Sequence, residues 1–325
     1  TYHILQKAGL NVGLAGNVGK SFALQVAEND FTHYVLELSS FQLDGMFDFK
    51  AEVAILTNIT PDHLDRYGYD VNNYIDSKFR ITRNQTGADA FIYCADDTLT
   101  TEALKTRTIA ATQYPFSIKT EAGMTAFLKE ENLNINLNNN LLHMSIFDLA
   151  LQGKHNLYNT MAAGIAARII DIRKDVVRES FSDFKNIEHR LEHVMTVHGI
   201  EFINDSKATN INSTWYALEC MQKPIIWIVG GVDKGNDYES LKDLVKTKVK
   251  AIVCLGADNA KIIEAYKDIV PEIVETRSAS DAVKASYEKG RKGDVVLLSP
   301  ACASFDLFKN YEDRGWQFKK AVKGL

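Results

Sequence analysis

The sequence predicts an α/β protein of two domains, and three observations carry that reading. Beyond residue 190, short apolar runs alternate with helix-length amphipathic stretches, the pattern of a parallel sheet with crossover helices. Ahead of it, the largely apolar runs at residues 33–40 and 53–57 suit strands covered on both faces. Between the two, at residues 126–151, Leu133, Ile135 and Leu137 alternate with asparagines, the two-residue period of antiparallel strands. The expected architecture is a first α/β domain, 1–186, with a small antiparallel hairpin appendage. A Rossmann-like parallel-sheet domain, 187–325, follows, with a hinge at residues 186–190. With 325 residues, 46% of them hydrophobic, the chain has apolar material for two cores.

Taken in order, residues 1–9 read as the last turns of a helix stopped by Gly9. No N-cap precedes them, so the chain is expected to begin inside an element. Residues 11–15 form a strand that enters Gly16-Asn-Val-Gly-Lys-Ser21. That loop is similar to a phosphate loop, but Leu14 stands where the first glycine is needed, so a strand-end loop contacting substrate is expected instead. Glu37 interrupts the strand at 33–40. A carboxylate in a buried strand must be paired or hold a metal. A salt bridge to a local Lys or Arg and a Mg²⁺ site with hard oxygen ligands are equally open readings. The strand at 53–57 runs into Asn58-Ile-Thr-Pro-Asp-His-Leu-Asp-Arg66, a polar corner at a strand's carboxyl end, where α/β sheets gather their chemistry. A helix over 70–84 carries Lys78. A strand at 88–94 closes on Asp96-Asp97. Gln152-Gly-Lys-His-Asn-Leu-Tyr-Asn159 opens a helix at 160–170, its amides either caps or readers of a base or phosphate.

In the second domain, strands fall at 194–197, 200–204, 224–229, 251–255, 272–276 and 295–298. Helices fall at 211–221, 238–246, 259–267, 279–289 and 305–322. No G-x-G-x-x-G follows the first strand, so a dinucleotide site is not expected. Three polar clusters sit at strand ends: Asn204-Asp-Ser-Lys-Ala-Thr-Asn210, Gly230-Gly-Val-Asp-Lys234 and Ser299-Pro-Ala-Cys-Ala-Ser-Phe305. One lysine alone is more often a solvated surface charge. Three clusters at successive strand ends favour a site, and Lys207, Thr209, Lys234 and Ser304 suit a small dicarboxylate.

The net charge of -5 with scattered Lys and Arg excludes the basic face that nucleic-acid binding needs. The four cysteines (Cys94, Cys220, Cys254, Cys302) show neither CxxC nor Cys/His metal spacing and read as free thiols of a reducing compartment. There is no membrane-length apolar run and no signal peptide, so a cytoplasmic protein is expected.

Asn204-Asp-Ser-Lys-Ala-Thr-Asn210 and Leu298-Ser-Pro-Ala-Cys-Ala-Ser-Phe-Asp306 resemble the Mur ligases. Leu36-Glu-Leu-Ser-Ser-Phe-Gln42, Asp62-His-Leu-Asp-Arg66 and His155-Asn-Leu-Tyr-Asn159 fit the same family, and the resemblance covers essentially the whole chain. It implies three domains: an N-terminal UDP-sugar domain, a central ATPase with a P-loop, and a Rossmann-like amino-acid domain. By this resemblance residues 1–186 are a truncated P-loop-type ATPase domain. The first domain and the P-loop are missing, and the stretch is not expected to turn over ATP alone.

The implied activity is ATP-driven amide formation through an acyl phosphate, joining D-glutamate to UDP-N-acetylmuramoyl-L-alanine in peptidoglycan precursor synthesis. The implied metal ligands are Glu37, His63 and Lys78 around Mg²⁺, with His63 and Lys78 catalytic and Lys78 carbamylated. Carbamylation needs a partly neutral amine, desolvated or near a cation such as Arg80. Asn159, Arg190 and Asp205 would contact ATP. Lys207, Thr209, Lys234, Ser304, Phe305 and Tyr311 would contact D-glutamate. Asn17 and Ser39 would face the UDP-sugar, and the enzyme would be a monomer. A folylpolyglutamate synthase-like ligase and a non-catalytic nucleotide or amino-acid binding module are the alternatives. Asp205-Ser-Lys207 speaks against the first.

Overall fold

The computed structural model describes residues 1–151, 153–184 and 188–325, so the expected boundary at residue 186 and Gln152 lie outside the described residues. The chain divides into two compact units, Thr1–Phe184 and Lys185–Leu325.

The first unit opens with α1 (Tyr2–Lys7), followed by β1 (Val12–Gly16), α2 (Phe22–Glu28), β2 (His33–Glu37) and α3 (Ser40–Asp44). β1 and β2 pair in parallel, with Val12 opposite His33 and Gly16 opposite Glu37. A six-stranded sheet follows in the order β3 (Val53–Leu56), β4 (Ala90–Cys94), β5 (Thr112–Ser117), β6 (Ala126–Lys129), β7 (Asn132–Leu137) and β8 (Asn140–Ser145). β3 to β6 run parallel, and β6 to β8 form an antiparallel meander. The alternating stretch is therefore three strands, continuous with the parallel sheet through Phe116 opposite Ala126 and Ser117 opposite Phe127. α4 (Val71–Phe79) and α5 (Thr98–Leu104) connect the parallel strands.

The long helix α6 (Lys154–Ile169) packs Met161 and Ile165 onto Leu133, Ile135 and Leu142. It comes so close that a Cβ at Gly164 would stand 2.3 Å from Ile135 Cδ1. α6 starts six residues earlier than its apolar period indicates, because the polar run from Lys154 to Asn159 is already helical behind Gly153. α7 (Lys174–Asp183) closes the unit.

In the second unit, β9 (Glu192–Val197) and β10 (Ile200–Asn204) form an antiparallel pair. The elements α8 (Ile211–Cys220), β11 (Ile225–Val229), α9 (Lys242–Lys248), β12 (Val249–Leu255), α10 (Ala260–Tyr266), β13 (Ile273–Thr276), α11 (Ala279–Lys289), β14 (Val295–Leu298) and α12 (Tyr311–Val322) then alternate. The strand order is β13-β12-β11-β14-β10-β9. The residues of α8, α9 and α10 cover one face of the sheet, around Trp227 and Cys254. Those of α11 and α12 cover the other, around Ile226, Ile228 and Leu298. β10 and β11 hand the chain to α8 and α9 on one face, whereas β14, inserted between them, hands it to α12 on the other. Such a reversal opens a crevice at the carboxyl ends of the strands. The last helix starts at Tyr311 rather than residue 305. The Asn310 side chain caps it by accepting the Asp313 amide at 2.8 Å, and residues 305–310 form a loop.

Candidate active site

In the first unit Asn17, Glu37 and Ser39 lie at the carboxyl ends of β1 and β2, His63 follows β3, Lys78 lies on α4 and Asn159 on α6. Gly16 lies against Glu37 with φ +103, and a Cβ there would stand 2.3 Å from the Glu37 carbonyl oxygen, so only glycine closes this corner. Asn17 donates its backbone N–H to that carbonyl at 2.7 Å and its side-chain amide to Glu37 Oε1 at 3.2 Å. The Gly16 N–H goes to the Lys20 carbonyl at 3.4 Å. The amides of Gly16 and Asn17 thus tie the loop to itself and to β2. Glu37 is exposed, not buried as a strand interior would have it, because β2 lets its last side chain out at the sheet's end. Ser39 caps α3: its hydroxyl accepts the Gln42 amide at 3.3 Å, and Gln42 Oε1 accepts the Ser39 amide at 2.9 Å.

Lys78 lies in the last turn of α4, half-buried, with its ammonium 5.4 Å from the centre of the Tyr74 ring. Burial pulls its pKa below the ordinary lysine value, against the negative charges of Asp62 and Glu37. Asp62, Glu37 and Lys78 therefore share one electrostatic neighbourhood. Arg80 pairs instead with Asp44 at 3.7 Å, so desolvation perturbs Lys78, not the cation nearest in sequence. His63 stands in the left-handed region at φ 53, held by its backbone N–H donating to Asp62 Oδ1 at 2.8 Å. Its ring lies 3.6 Å from the Asp62 carboxylate and edge-on to Phe41 at 5.1 Å.

Among the described residues no group of three His, Cys, Asp or Glu is placed to hold one metal. Glu37 offers a hard oxygen and His63 an imidazole nitrogen. An ammonium at Lys78 is no ligand. A divalent cation here would need a further oxygen donor beside Glu37 and His63.

In the second unit the three polar clusters leave adjacent strands, β11, β14 and β10, at their carboxyl ends. Backbone bonds fix them to one another: Ala301 N–H to the Ala208 carbonyl at 3.0 Å and Val232 N–H to the Ala303 carbonyl at 2.8 Å. Asp205 is buried. Its Oδ1 accepts the Leu191 amide at 3.1 Å and its Oδ2 accepts the Ser299 hydroxyl at 2.8 Å. Burial pushes its carboxyl up to about 7, while Ser299, the Leu191 amide, Arg190 and Arg314 pull the other way.

Lys207 is half-buried, 5.8 Å from the centre of the Tyr311 ring. Thr209 is half-buried and Ser304 buried, whereas Lys234 is exposed and Phe305 is 72% exposed. Arg190 is half-buried and acts electrostatically on Asp205, while Asn159 is exposed in the second turn of α6. A cavity of about 370 Å³ lies on the other flank of β11, lined by Gly231, Asp233, Ala257, Lys261 and Asp306 among others, but by none of Lys207, Thr209, Lys234 or Ser304.

Two supporting residues escaped sequence reasoning. Asp233 holds the loop carrying Lys234. It accepts from the Gly235 amide at 2.7 Å, the Asn236 amide at 3.3 Å, Lys261 at 2.9 Å and the Tyr238 hydroxyl at 2.9 Å. Its place inside Gly230-Gly-Val-Asp-Lys234 was the available signal. Arg314, 1% exposed, reads in sequence as a surface charge of an amphipathic helix, and nothing local distinguishes it.

Known proteins align with both units. The Mur ligase middle domain matches residues 1–167, and the Mur ligase glutamate ligase domain matches residues 189–302. The chain is 54% identical over 323 residues to the UDP-N-acetylmuramoylalanine–D-glutamate ligase of Christiangramia forsetii, covering 99% of this chain and 73% of that protein. It is 53% identical over 325 residues to the protein of that name in Bacteroides fragilis, covering 100% and 73%. Among solved structures, the MurF ligase of Thermotoga maritima in complex with ADP superposes with a TM-score of 0.72 at 16% identity, covering 99% of this chain and 76% of that one. The folylpolyglutamate synthase of Mycobacterium tuberculosis complexed with ADP and AMPPCP superposes at 0.63 and 15%, covering 87% and 69%. The two likenesses share the fold and do not separate the chemistries. The identity over the full chain does, and the chain belongs to the Mur ligase family, grouping with its UDP-N-acetylmuramoylalanine–D-glutamate ligases.

Proposed function

We propose that the enzyme to which the chain belongs carries out ATP-dependent addition of D-glutamate to UDP-N-acetylmuramoyl-L-alanine, a cytoplasmic step of peptidoglycan precursor synthesis that serves the cell wall, cell shape and division, as a monomer. The observation that supports this best is identity above half to ligases of that name along the whole chain. In this reading the substrate carboxylate attacks the γ-phosphorus of ATP and ADP leaves. The D-glutamate amine then attacks the acyl carbon, phosphate leaves, and the amine's proton passes to solvent or a base.

Lys207, Thr209, Lys234 and Ser304 would hold the glutamate carboxylates, with Phe305 and Tyr311 beside them. Asn159, Arg190 and Asp205 would hold ATP, and Asn17 and Ser39 would face the nucleotide sugar. Mg²⁺, when bound, would be held by Glu37, His63 and a carbamylated Lys78 and would neutralise phosphoryl charge. The half-burial of Lys78, which lowers its pKa, supports a carbamylatable amine.

The test is release of ADP and phosphate by the full-length enzyme, which should require UDP-N-acetylmuramoyl-L-alanine and D-glutamate together. Turnover with L-glutamate and a folate would replace this reading with that of a folylpolyglutamate synthase. Nucleotide binding without turnover would replace it with a binding module. Lys78→Ala should abolish turnover and regain part of it with small carboxylates. Undiminished activity would remove the carbamate.

A further inference from the structure

We infer that Arg314 is the positioning residue of the amino-acid rim: from α12 it pins the three strand-end loops that carry Lys207 and Thr209, Lys234, and Ser304 into one arrangement. The inference rests on the proposed reading of that rim as the D-glutamate site. Arg314 is 1% exposed. Its Nε donates to Ser206 Oγ at 3.0 Å and its Nη2 to the Ser206 carbonyl at 2.9 Å. Both Nη atoms donate to the Cys302 carbonyl at 3.2 Å, and Nη1 also donates to the Gly230 carbonyl at 3.4 Å.

Ser206 directly precedes Lys207, Gly230 leads into the loop of Lys234, and Cys302 lies just ahead of Ser304. One guanidinium thus touches all three loops close to the residues assigned to the glutamate carboxylates. The Ser206 hydroxyl continues the tie by donating to the Tyr311 carbonyl at 2.8 Å, in the first turn of α12. The next residue, Gly315, brings the helix against the loop before β9: a Cβ there would fall 2.2 Å from His189 Nδ1.

The chemistry of the contact argues for positioning over packing. Among the described residues every hydrogen bond of Arg314 goes to a neutral oxygen, and Asp205 and Asp306 act on it only at longer range. A buried cation without a bonded carboxylate is a costly way to fill space, and an apolar side chain would fill it at less cost. The planar fork of five donors reaches three loops at once, which a lysine's point charge does not. Its charge also lies beneath the rim where the two carboxylates of glutamate would arrive.

The experiment is Arg314→Lys in the full-length ligase, read in two ways. By amide hydrogen exchange, the Lys207, Val232 and Ala301 amides, which bond to the carbonyls of His189, Ala303 and Ala208, should lose protection while those of β11 and β12 keep theirs. In kinetics, KM for D-glutamate should rise about 10- to 100-fold, with kcat and KM for ATP within about threefold. Unchanged protection at those three amides overturns the pinning. An equal rise in KM for all substrates reduces Arg314 to a structural residue. If the parent enzyme itself releases no ADP in response to D-glutamate, the proposed function fails, and the exchange measurement still decides whether Arg314 holds the loops. Should Arg314→Lys not fold, Ser206→Ala removes the hydroxyl between Arg314 and Tyr311 and carries the same readouts.

Discussion

Replacing Asp205 by asparagine should make the second unit more stable, increasingly so as pH rises. Asp205 is 5% exposed, and its carboxyl is raised from the ordinary 3.8 to about 7. The folded form therefore keeps its proton where the unfolded chain has released it. The proton's contribution to stability is fully present below about pH 3.8 and is lost as pH rises through about 7. At about 1.4 kcal/mol per pH unit, the ionised group costs on the order of 4 kcal/mol at pH 8. Of this, about 2 kcal/mol should appear between pH 5 and pH 7.

Asparagine carries no such cost. Its Oδ1 still accepts the Leu191 amide, and the Ser299 hydroxyl can turn to Thr214 Oγ1, 3.1 Å away. All three tryptophans, Trp215, Trp227 and Trp316, lie in the second unit, so their fluorescence reports its unfolding in urea. The gap between Asp205→Asn and the parent should widen with pH across this range. Parallel stability curves from pH 5 to pH 8 would refute the argument, because they would mean that Asp205 titrates alike in both states. In the ligase assay the same substitution should weaken ATP binding.

Other substitutions test the corner and the rim. Gly16→Ala places a Cβ 2.3 Å from the Glu37 carbonyl at φ +103, so it should destabilise the first unit by at least about 2 kcal/mol. A calorimetric melting point within a degree or so of the parent's would contradict that. Ser39→Ala should cost roughly 1 kcal/mol through the lost cap and raise KM for the nucleotide sugar. Gln42→Ala breaks the same box without removing the Ser39 hydroxyl, so it should cost stability and leave that KM alone. Asp233→Ala removes four hydrogen bonds from the loop of Lys234. It should raise KM for D-glutamate several-fold and lower stability by roughly 1–3 kcal/mol, and a KM equal to the parent's would disconnect that loop from the amino acid.

The rim was legible in the sequence because its polar residues interrupt apolar strands. Val295–Leu298 and Ile225–Val229 are wholly buried, so the hydroxyls, glycines and lysines that follow them stand out against the run. The hydrophobic period also located β10, α11 and β14 at their observed bounds. It misplaced the start of α12, because Phe305 continues the apolar pattern yet lies in the loop, 72% exposed. It also put the start of α6 too late, because Lys154 to Asn159 are polar and helical at once. Glu37 was misjudged for a related reason. A strand's apolar period does not tell where its last side chain leaves the sheet, and Glu37 sits on that edge.

What sequence could not disclose is the layer beneath the rim. Arg314 and Asp205 lie far apart in sequence, on a helix and at a strand end, and only the insertion of β14 between β10 and β11 brings both under the same loops. Each breaks a local rule, one as a cation bonded, among the described residues, to neutral oxygens, the other as a carboxyl held well above its ordinary range. Burial pulls Arg314 down to about 10, and Asp306 and Asp205 oppose that pull only in part. Departures of this kind concentrate where a structure must hold a geometry that packing alone would not choose. The exposed residues of the rim, Lys234 and Phe305, have few constraints of their own. In the proposed reading, Arg314 below holds the loops in one arrangement for a small dianion.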